Sequence, residues 1–151
     1  TISPAILGVE MQVKTLFGKW IQLSFADKLL LLQAFLALTA VSLAMTFVPY
    51  LRVKNTLARF APTSEGAENA HLVERCVWAV NQTSLMVRRG QNCLVKAAGL
   101  HLLLALRKVP SDLKMGFAKT ASGIEGHAWL EYHGAVLVGD NGDLHLYGRS
   151  T

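Results

Sequence analysis

The sequence has few cysteines, no glycine-rich phosphate loop and no dense run of basic residues. Two cysteines in 151 residues do not make a disulfide framework, and nothing near them has metal-ligand spacing. The sequence contains no Gly-rich loop of the kind that binds phosphate, so no nucleotide site and no cofactor are expected. The net charge is +5, but the basic residues are scattered in small groups without interleaved aromatics. Nucleic acid is therefore not an expected partner, although the positive potential would attract an acidic peptide.

The N-terminal third is unusually apolar. No formally charged residue occurs between Leu29 and Leu51, a stretch long enough to cross a bilayer. Thr39, Ser42 and Thr46 form a weakly polar stripe, as on a packed helix, and Gln33 lies on another side. Basic residues flank both ends, so charge favours no orientation. We therefore predict a helix of the core or of a partner interface, with a membrane span as the weaker alternative.

Cys93 is the strongest candidate for a catalytic residue. Gly90-Gln91-Asn92 interrupts the preceding pattern, and a helix is predicted from Cys93 to Lys108. Asn92 is a favoured N-cap residue, which places Cys93 in the first turn. Unpaired N–H groups and the helix dipole stabilise a thiolate there, and the pKa of such a cysteine can fall below its usual ~8.5. Cys76, within a second predicted helix from Ser64 to Val87, is expected to be buried.

A β-hairpin is predicted around His133-Gly134, because X-Gly between hydrophobic strands is typical of primed turns. With these two residues as the turn, counting outward along both strands makes His127 face Asp140. Such a non-hydrogen-bonded pair shares one face of the ribbon. A histidine beside a carboxylate is a base with a fixed tautomer, so the pair would complete a Cys-His-Asp triad with Cys93.

The register of this hairpin leaves one alternative open. A bulge at Gly139 or a slip of one residue would turn Asp140 to the opposite face. Asn141 and Asp143 are therefore reserve candidates for the third position. Trp129, two residues from His127 on the same face, is expected to pack beneath the site.

The predicted fold is α+β, with a nucleophile helix packed on a small antiparallel sheet behind a hydrophobic helical N-terminal layer. Residues 1–60 would form the helical N-terminal region and residues 61–151 the catalytic core. The predicted elements are helices at Val13–Trp20 and Phe25–Val48, a linker at Ala61–Gly66, the two helices already described, and strands at Leu113–Ala118, His127–Tyr132, Ala135–Val138 and Leu144–Tyr147.

Three segments carry a resemblance to a known family: Asn92 to Ala97, Val109 to Gly116, and Gly126 to Glu131. Together they resemble the transglutaminase-like B protein of lasso-peptide biosynthesis, which is the leader peptidase of that pathway. The resemblance implies a papain-like or transglutaminase-like cysteine peptidase core. It also implies that Cys93 is the nucleophile, His127 the base and Asp140 the orienting acid.

The same resemblance implies the partners and the location. The substrate would be a lasso precursor carrying its leader, which a separate small leader-recognition protein captures, and a lasso cyclase would close the ring afterwards. The expected compartment is the cytoplasm, because no cleavable signal is evident and a reducing environment suits a free thiol.

Two other function classes remain open on the sequence alone. The same triad could transfer an acyl group to an amine, as transglutaminases and arylamine acetyltransferases do. Alternatively, the chain could be a non-enzymatic, membrane-associated helical module in which Cys93 is merely a helix residue. Gln91 is a weak candidate for a second oxyanion donor. The other histidines, His71, His101, His133 and His145, are predicted to be bystanders.

Overall fold

The structure is a computed structural model that describes residues 21–59, 70–87, 90, 92–140, 142 and 148–149. Helices precede strands along the chain, and the strands form one antiparallel sheet in the order β3-β2-β1-β4. This arrangement confirms the predicted α+β class. The elements are α1 (Phe25–Phe47), α2 (Tyr50–Arg59), α3 (Ala70–Ser84), α4 (Cys93–Ala105), β1 (Asp112–Thr120), β2 (Gly123–Tyr132), β3 (Ala135–Val138) and β4 (Gly148–Arg149).

The long helix α1 begins at a side-chain cap and agrees with its prediction to within one residue. Ser24 Oγ accepts a hydrogen bond from the backbone N–H of Asp27 at 3.2 Å, which satisfies one unpaired donor of the first turn. The Ser24 hydrogen bond, and then Arg75 of α3, hold the pKa of the Asp27 carboxyl below its usual range. One face is buried in the core, with Leu30, Leu31, Ala34, Ala37, Leu38 and Val41.

Helix α4 lies at the centre of the fold, packed against α1 and α3 on one side and against β1 and β2 on the other. Three consecutive small residues, Ala97, Ala98 and Gly99, are buried on it. A Cβ added at Gly99 would lie 2.7 Å from Cδ2 of Leu38. The small residues therefore let α1 approach α4 closely, and the leucines of both helices complete one hydrophobic cluster.

The sheet presents one face to this core. Side chains alternate along a strand, and Leu130 of β2 and Val138 of β3 belong to the same buried cluster as the leucines of α4. His127 and Trp129 therefore lie on the opposite face of β2. β1 and β2 pair continuously from Asp112–Glu131 to Thr120–Gly123. Both strands are longer than predicted, and a two-residue turn joins them.

The hairpin between β2 and β3 confirms the predicted turn and corrects the predicted register. His133 and Gly134 have φ values of 47° and 80°, as a primed turn requires, and Tyr132 pairs with Ala135. A bulge follows, because Leu130 pairs with Val138 rather than with Leu137. Every position beyond the bulge is shifted by one residue relative to the prediction.

The remaining boundaries differ modestly or lie outside the described residues. The helix predicted to reach Val87 ends at Ser84, and the Cys93 helix ends at Ala105 rather than Lys108. Lys108 has a φ of 59°, and the backbone N–H of Val109 donates to Leu104 O, which closes the helix end. Helix α2 is not among the predicted elements. The predicted Val13–Trp20 helix, Ala61–Gly66 linker and Leu144–Tyr147 strand lie outside the described residues, and the division at residue 60 stays a prediction.

His101 is a buried polar residue of α4. Its side chain is 4% exposed, and its Nδ1 lies 2.8 Å from Ser111 Oγ, just before β1. Burial lowers the pKa of the imidazole below its usual 6.5, although a hydrogen bond to the Leu57 backbone and the charge of Asp112 oppose the shift. The ring therefore links α4 to α2 and β1 in its neutral form, so the bystander prediction overlooked a structural role.

This burial predicts a loss of stability in mild acid. Below pH 6.5 the histidine of the unfolded chain takes up a proton that the folded chain resists, so the free energy of unfolding should fall between pH 7 and pH 5. The slope attributable to one proton cannot exceed about 1.4 kcal/mol per pH unit. Urea unfolding across this range should show a shallower slope for His101→Asn and an unchanged slope for the exposed control His71→Asn. Equal slopes for His101→Asn and the wild type would contradict the assignment.

The packing of α1 on α4 gives a second prediction. Leu38 is 0% exposed, whereas Leu43 on the same helix is 54% exposed. Leu38→Ala should lower the free energy of unfolding by about 3 kcal/mol through lost burial and a residual cavity. The matched substitution Leu43→Ala should cost under ~1 kcal/mol. Chemical denaturation measures both, and similar costs would mean that α1 is not packed as described.

Candidate active site

Cys93 is the first residue of α4, as predicted. Asn92 is the N-cap: its side-chain oxygen accepts from the backbone N–H of Leu94 at 3.0 Å, and its carbonyl accepts from Lys96 N at 3.0 Å. The Cys93 side chain is half-buried. Its sulfur therefore sits beside the positive end of the helix dipole and can be reached from solvent.

The chain enters this helix through a glycine that tolerates no side chain. Gly90 is buried, and its N–H donates to Val87 O at 2.8 Å. A Cβ at this position would lie 2.3 Å from the carbonyl oxygen of Ser84, a clash with backbone atoms. The close approach fixes the end of α3 against the segment that leads to Cys93.

Cys76 is buried, as predicted, and is unsuited to nucleophilic chemistry. It is 0% exposed on α3. Burial raises the pKa of its thiol, and the charges of Arg107 and Arg75 only partly oppose this shift. Of the two cysteines, Cys93 is therefore the one that a substrate can reach.

The imidazole of His127 is held by a backbone carbonyl. Its Nε2 lies 2.5 Å from Gly139 O. A carbonyl oxygen only accepts, so Nε2 carries the proton and Nδ1 carries the lone pair in the neutral ring. The ring also stacks on Trp129, with centroids 6.4 Å apart and planes inclined by 21°. His127 is therefore a base whose tautomer is defined by its hydrogen bond to a backbone carbonyl.

The predicted pairing of His127 with Asp140 across the hairpin is wrong in its register. The bulge at Leu137 adds one residue to the β3 side, and Gly139, rather than Asp140, presents its carbonyl to the ring. Asp140 is exposed, and its Oδ1 accepts from the backbone N–H of Gly142 at 2.8 Å, which forms an Asx-type turn. Its role as the orienting acid stays a prediction.

The reserve candidates cannot be compared directly with Asp140. Asn141 and Asp143 both lie outside the described residues, as does Gln91, the candidate for a second oxyanion donor. The backbone N–H of Cys93, at the helix start, is a donor of the type that stabilises a tetrahedral oxyanion.

The structure does not join the nucleophile to the base. Both residues lie in the described part of the chain, and no hydrogen bond links Cys93 Sγ to the His127 ring. The ring is on the face of β2 opposite to the one that packs on α4. An active pair would therefore require Cys93 or His127 to move to a common side of the sheet, which is a larger change than the loosening of catalytic hydrogen bonds in a free enzyme.

A buried polar network next to His127 was missed by the sequence analysis. Trp129 is 2% exposed, and its Nε1 donates to Oε1 of Glu131 at 2.8 Å. The other carboxylate oxygen of Glu131 pairs with Lys114 Nζ of β1 at 2.5 Å. The spacing of His127, Trp129 and Glu131 by two residues was a usable signal, because it places all three on one face of a strand. The network holds Trp129 in place beneath the imidazole.

The described residues contain no group of three or more histidine, cysteine or acidic side chains that could hold a metal ion. The chemistry that they can support is that of a helix-borne thiol and an oriented imidazole. The fold and the site thus define an α+β protein whose candidate nucleophile helix packs on an antiparallel sheet.

Residues 35–149 match the model of the transglutaminase-like superfamily. Because the match spans most of the chain, the protein belongs to this superfamily, which includes cysteine peptidases and acyl transferases. No curated protein and no solved structure matches the chain. The match carries nothing specific to lasso-peptide maturation.

The carbonyl that orients His127 yields a testable consequence. Gly139 has a φ of 88°, and a Cβ there would lie 2.5 Å from Ala128 O and 2.9 Å from Trp129 Cα. Gly139→Ala should therefore displace this carbonyl and destabilise the fold by more than the ~1–2 kcal/mol of left-handed strain alone. Imidazole ¹⁵N shifts should show the Nε2–H tautomer of His127 in the wild type and its loss in this variant.

Gly142→Ala is the matched control. Gly142 has a φ of 81°, but an added Cβ there would meet nothing within 4 Å. This variant should show only the cost of strain and keep the His127 tautomer. An unchanged His127 signal in Gly139→Ala would remove the carbonyl from its orienting role.

Proposed function

We propose that this protein is a cysteine peptidase that removes the leader from a lasso precursor peptide. Membership of a superfamily that includes cysteine peptidases supports the reaction class. The observation that most strongly supports the proposal is the position of Cys93, a half-exposed thiol on the first turn of a capped helix. The lasso substrate rests on the resemblance of the segments around Cys93 and His127 and on no further observation.

The proposed reaction begins with attack of the Cys93 thiolate on the carbonyl carbon of the scissile peptide bond. The resulting oxyanion accepts a hydrogen bond from the Cys93 backbone N–H. The protonated imidazole of His127 gives its proton to the leaving amine as the C–N bond breaks, which leaves a thioester on Cys93. The same imidazole then takes a proton from water, and the hydroxide formed hydrolyses the thioester and restores the thiolate.

The lengths of α4 and β1 support the proposal that Cys93 and His127 act at the same end of the domain. α4 extends about 20 Å at 1.5 Å per residue, and β1, which returns along it, covers that length in roughly six residues. Six residues counted from Asp112 end at Phe117, which is next to Gly116, the cross-strand partner of His127. In the proposed mechanism, binding of substrate at this end brings the sulfur within hydrogen-bond reach of the ring.

The tautomer of His127 also supports the role of base. With Nε2–H donated to Gly139 O, Nδ1 is the nitrogen that exchanges the proton with sulfur, amine and water. Asp140 is proposed to strengthen this arrangement by its negative charge next to the orienting carbonyl. Its carboxylate would favour the imidazolium that forms during turnover.

The partners are proposed on the same resemblance. A separate leader-recognition protein would deliver the precursor, and a lasso cyclase would act on the released core. The positive net charge of +5 suits an acidic precursor. A cytoplasmic location is part of this proposal.

Acyl transfer to an amine is the second candidate, because the superfamily contains acyl transferases as well as peptidases. Both reactions pass through the same thioester on Cys93 and differ only in the nucleophile that resolves it. Product analysis with and without an added amine separates them. A hydrolysed carboxylate product supports the peptidase, and an amide product supports the transferase.

The decisive assay is cleavage of a lasso precursor by the full chain in the presence of the leader-recognition protein, followed by mass spectrometry. Cys93→Ala should lower the cleavage rate at least roughly a thousandfold, because the covalent route is lost. Cys76→Ala, the matched control, should retain cleavage. Comparison of Asp140→Ala with Asn141→Ala identifies the residue that assists His127. Cleavage by Cys93→Ala at the wild-type rate would refute the proposed function.

A further inference from the structure

The surface of α1 that faces away from the core is predominantly apolar, and Thr39, Ser42 and Thr46 are its polar members. We call it the α1 outer face. Its large side chains are well exposed, with values of 82% at Phe25, 53% at Leu32 and 81% at Phe47. Its apolar members are Phe25, Ala26, Leu29, Leu32, Phe35, Leu36, Ala40, Leu43 and Phe47. A contiguous exposed patch of this kind marks an interaction surface.

The shape of the α1 outer face distinguishes between kinds of partner. At 3.6 residues per turn, its members spread over about half of the helix circumference, and the helix is ~35 Å long. A single packed helix needs a narrower seam flanked by charged residues. Here the exposed positions at the two edges include the apolar Ala26 and Phe35, and Lys28 and Thr46 lie beside Phe35 around the helix axis. A fluid apolar phase covers such a wide face better than one partner helix does.

The polar groups near this face are satisfied within the protein. Thr39 donates its hydroxyl to Phe35 O at 2.7 Å, and Thr46 donates to Ser42 O at 2.9 Å. Gln33, at the border, accepts from the Arg107 side chain that follows α4. Hydroxyls bonded to the carbonyl one turn back present no unsatisfied donor, which a hydrocarbon environment requires.

Positive charge borders the α1 outer face at both ends. Lys28 lies in its first turn, and Arg52 and Arg59 are exposed on the amphipathic helix α2 that follows. Leu51, next to Arg52, is also 68% exposed. Basic residues flanking an apolar helical face are complementary to anionic lipid headgroups.

We propose that the α1 outer face docks on the surface of an anionic lipid membrane, with the helix lying in the plane of the interface. By length and composition α1 could cross a membrane, yet 33% of its apolar window is buried inside the protein. Leu30, Ala34 and Leu38 join the core that includes the leucines of α4. Spanning would expose that core, whereas lateral docking leaves it intact. This inference does not depend on the peptidase activity.

The experiment is flotation of the full chain with vesicles made of equal parts phosphatidylcholine and phosphatidylglycerol. The wild type should float with these vesicles, less so in high salt, and weakly with phosphatidylcholine alone. The double variant Leu32→Glu with Leu36→Glu should lower the binding constant at least ~10-fold. It replaces two apolar side chains that would be buried in the bilayer, and it adds two negative charges that anionic lipid repels. Leu43→Glu alone should give a smaller decrease.

The matched control changes two leucine-sized side chains that are equally exposed elsewhere. Leu106 and Ile124 are 68% and 78% exposed, and the double variant Leu106→Glu with Ile124→Glu has the same change of charge. It should bind the vesicles as the wild type does, apart from any decrease caused by the two added negative charges, which both double variants share. Thermal unfolding checks that each variant is folded.

Three results would overturn the proposal. The first is no flotation of the wild type with anionic vesicles. The second is equal loss of binding in both double variants. The third is self-association of the wild type in analytical ultracentrifugation that Leu32→Glu with Leu36→Glu abolishes, without any vesicle binding, which would assign the α1 outer face to a second copy of the chain.

Discussion

The close approach of α1 to α4 is the contact on which the position of the candidate nucleophile depends. Ala97, Ala98 and Gly99 remove the side chains that would hold the two helices apart, and Leu38 occupies the space over Gly99. α1 packs on one side of α4, and the leucines of α4 pack against the sheet on the other side. The helix that begins at Cys93 is thus held from both sides, and its first turn inherits that rigidity.

An imidazole oriented by a carbonyl differs chemically from one oriented by a carboxylate. The Gly139 carbonyl fixes which nitrogen carries the proton in the neutral His127 ring, and a backbone carbonyl does not itself ionise. It stabilises the imidazolium less than a negative charge would. Tautomer selection and charge stabilisation are therefore separable here: the first belongs to Gly139, and the second stays a prediction for Asp140.

Features specified by local chemistry were predictable from the sequence. The Asn92 cap, the His133-Gly134 turn and the extent of α1 each depend on residues within a few positions of one another. The burial of Cys76 followed from the apolar pattern around it. For the cap, the turn and the helix, the local sequence favours the observed structure before any tertiary contact forms.

Features decided by tertiary packing were not predictable. The bulge at Leu137 brings Val138 opposite Leu130, and both are buried in the core, which no count from the turn could show. That single extra residue moved the orienting contact of His127 from a side chain to a backbone carbonyl. The burial of Glu131 depends likewise on Lys114 of another strand. The relation of Cys93 to His127 is of the same kind, because it depends on which face of the sheet meets α4.

Two glycines limit the sequences that can build this site. At position 90 a methyl group would strike the Ser84 carbonyl, and at position 139 it would strike the backbone of β2. An alanine at either position would have to displace backbone atoms before the segments around Cys93 and His127 could pack as they do. This backbone therefore requires glycine at both positions, whatever chemistry the two reactive residues carry out.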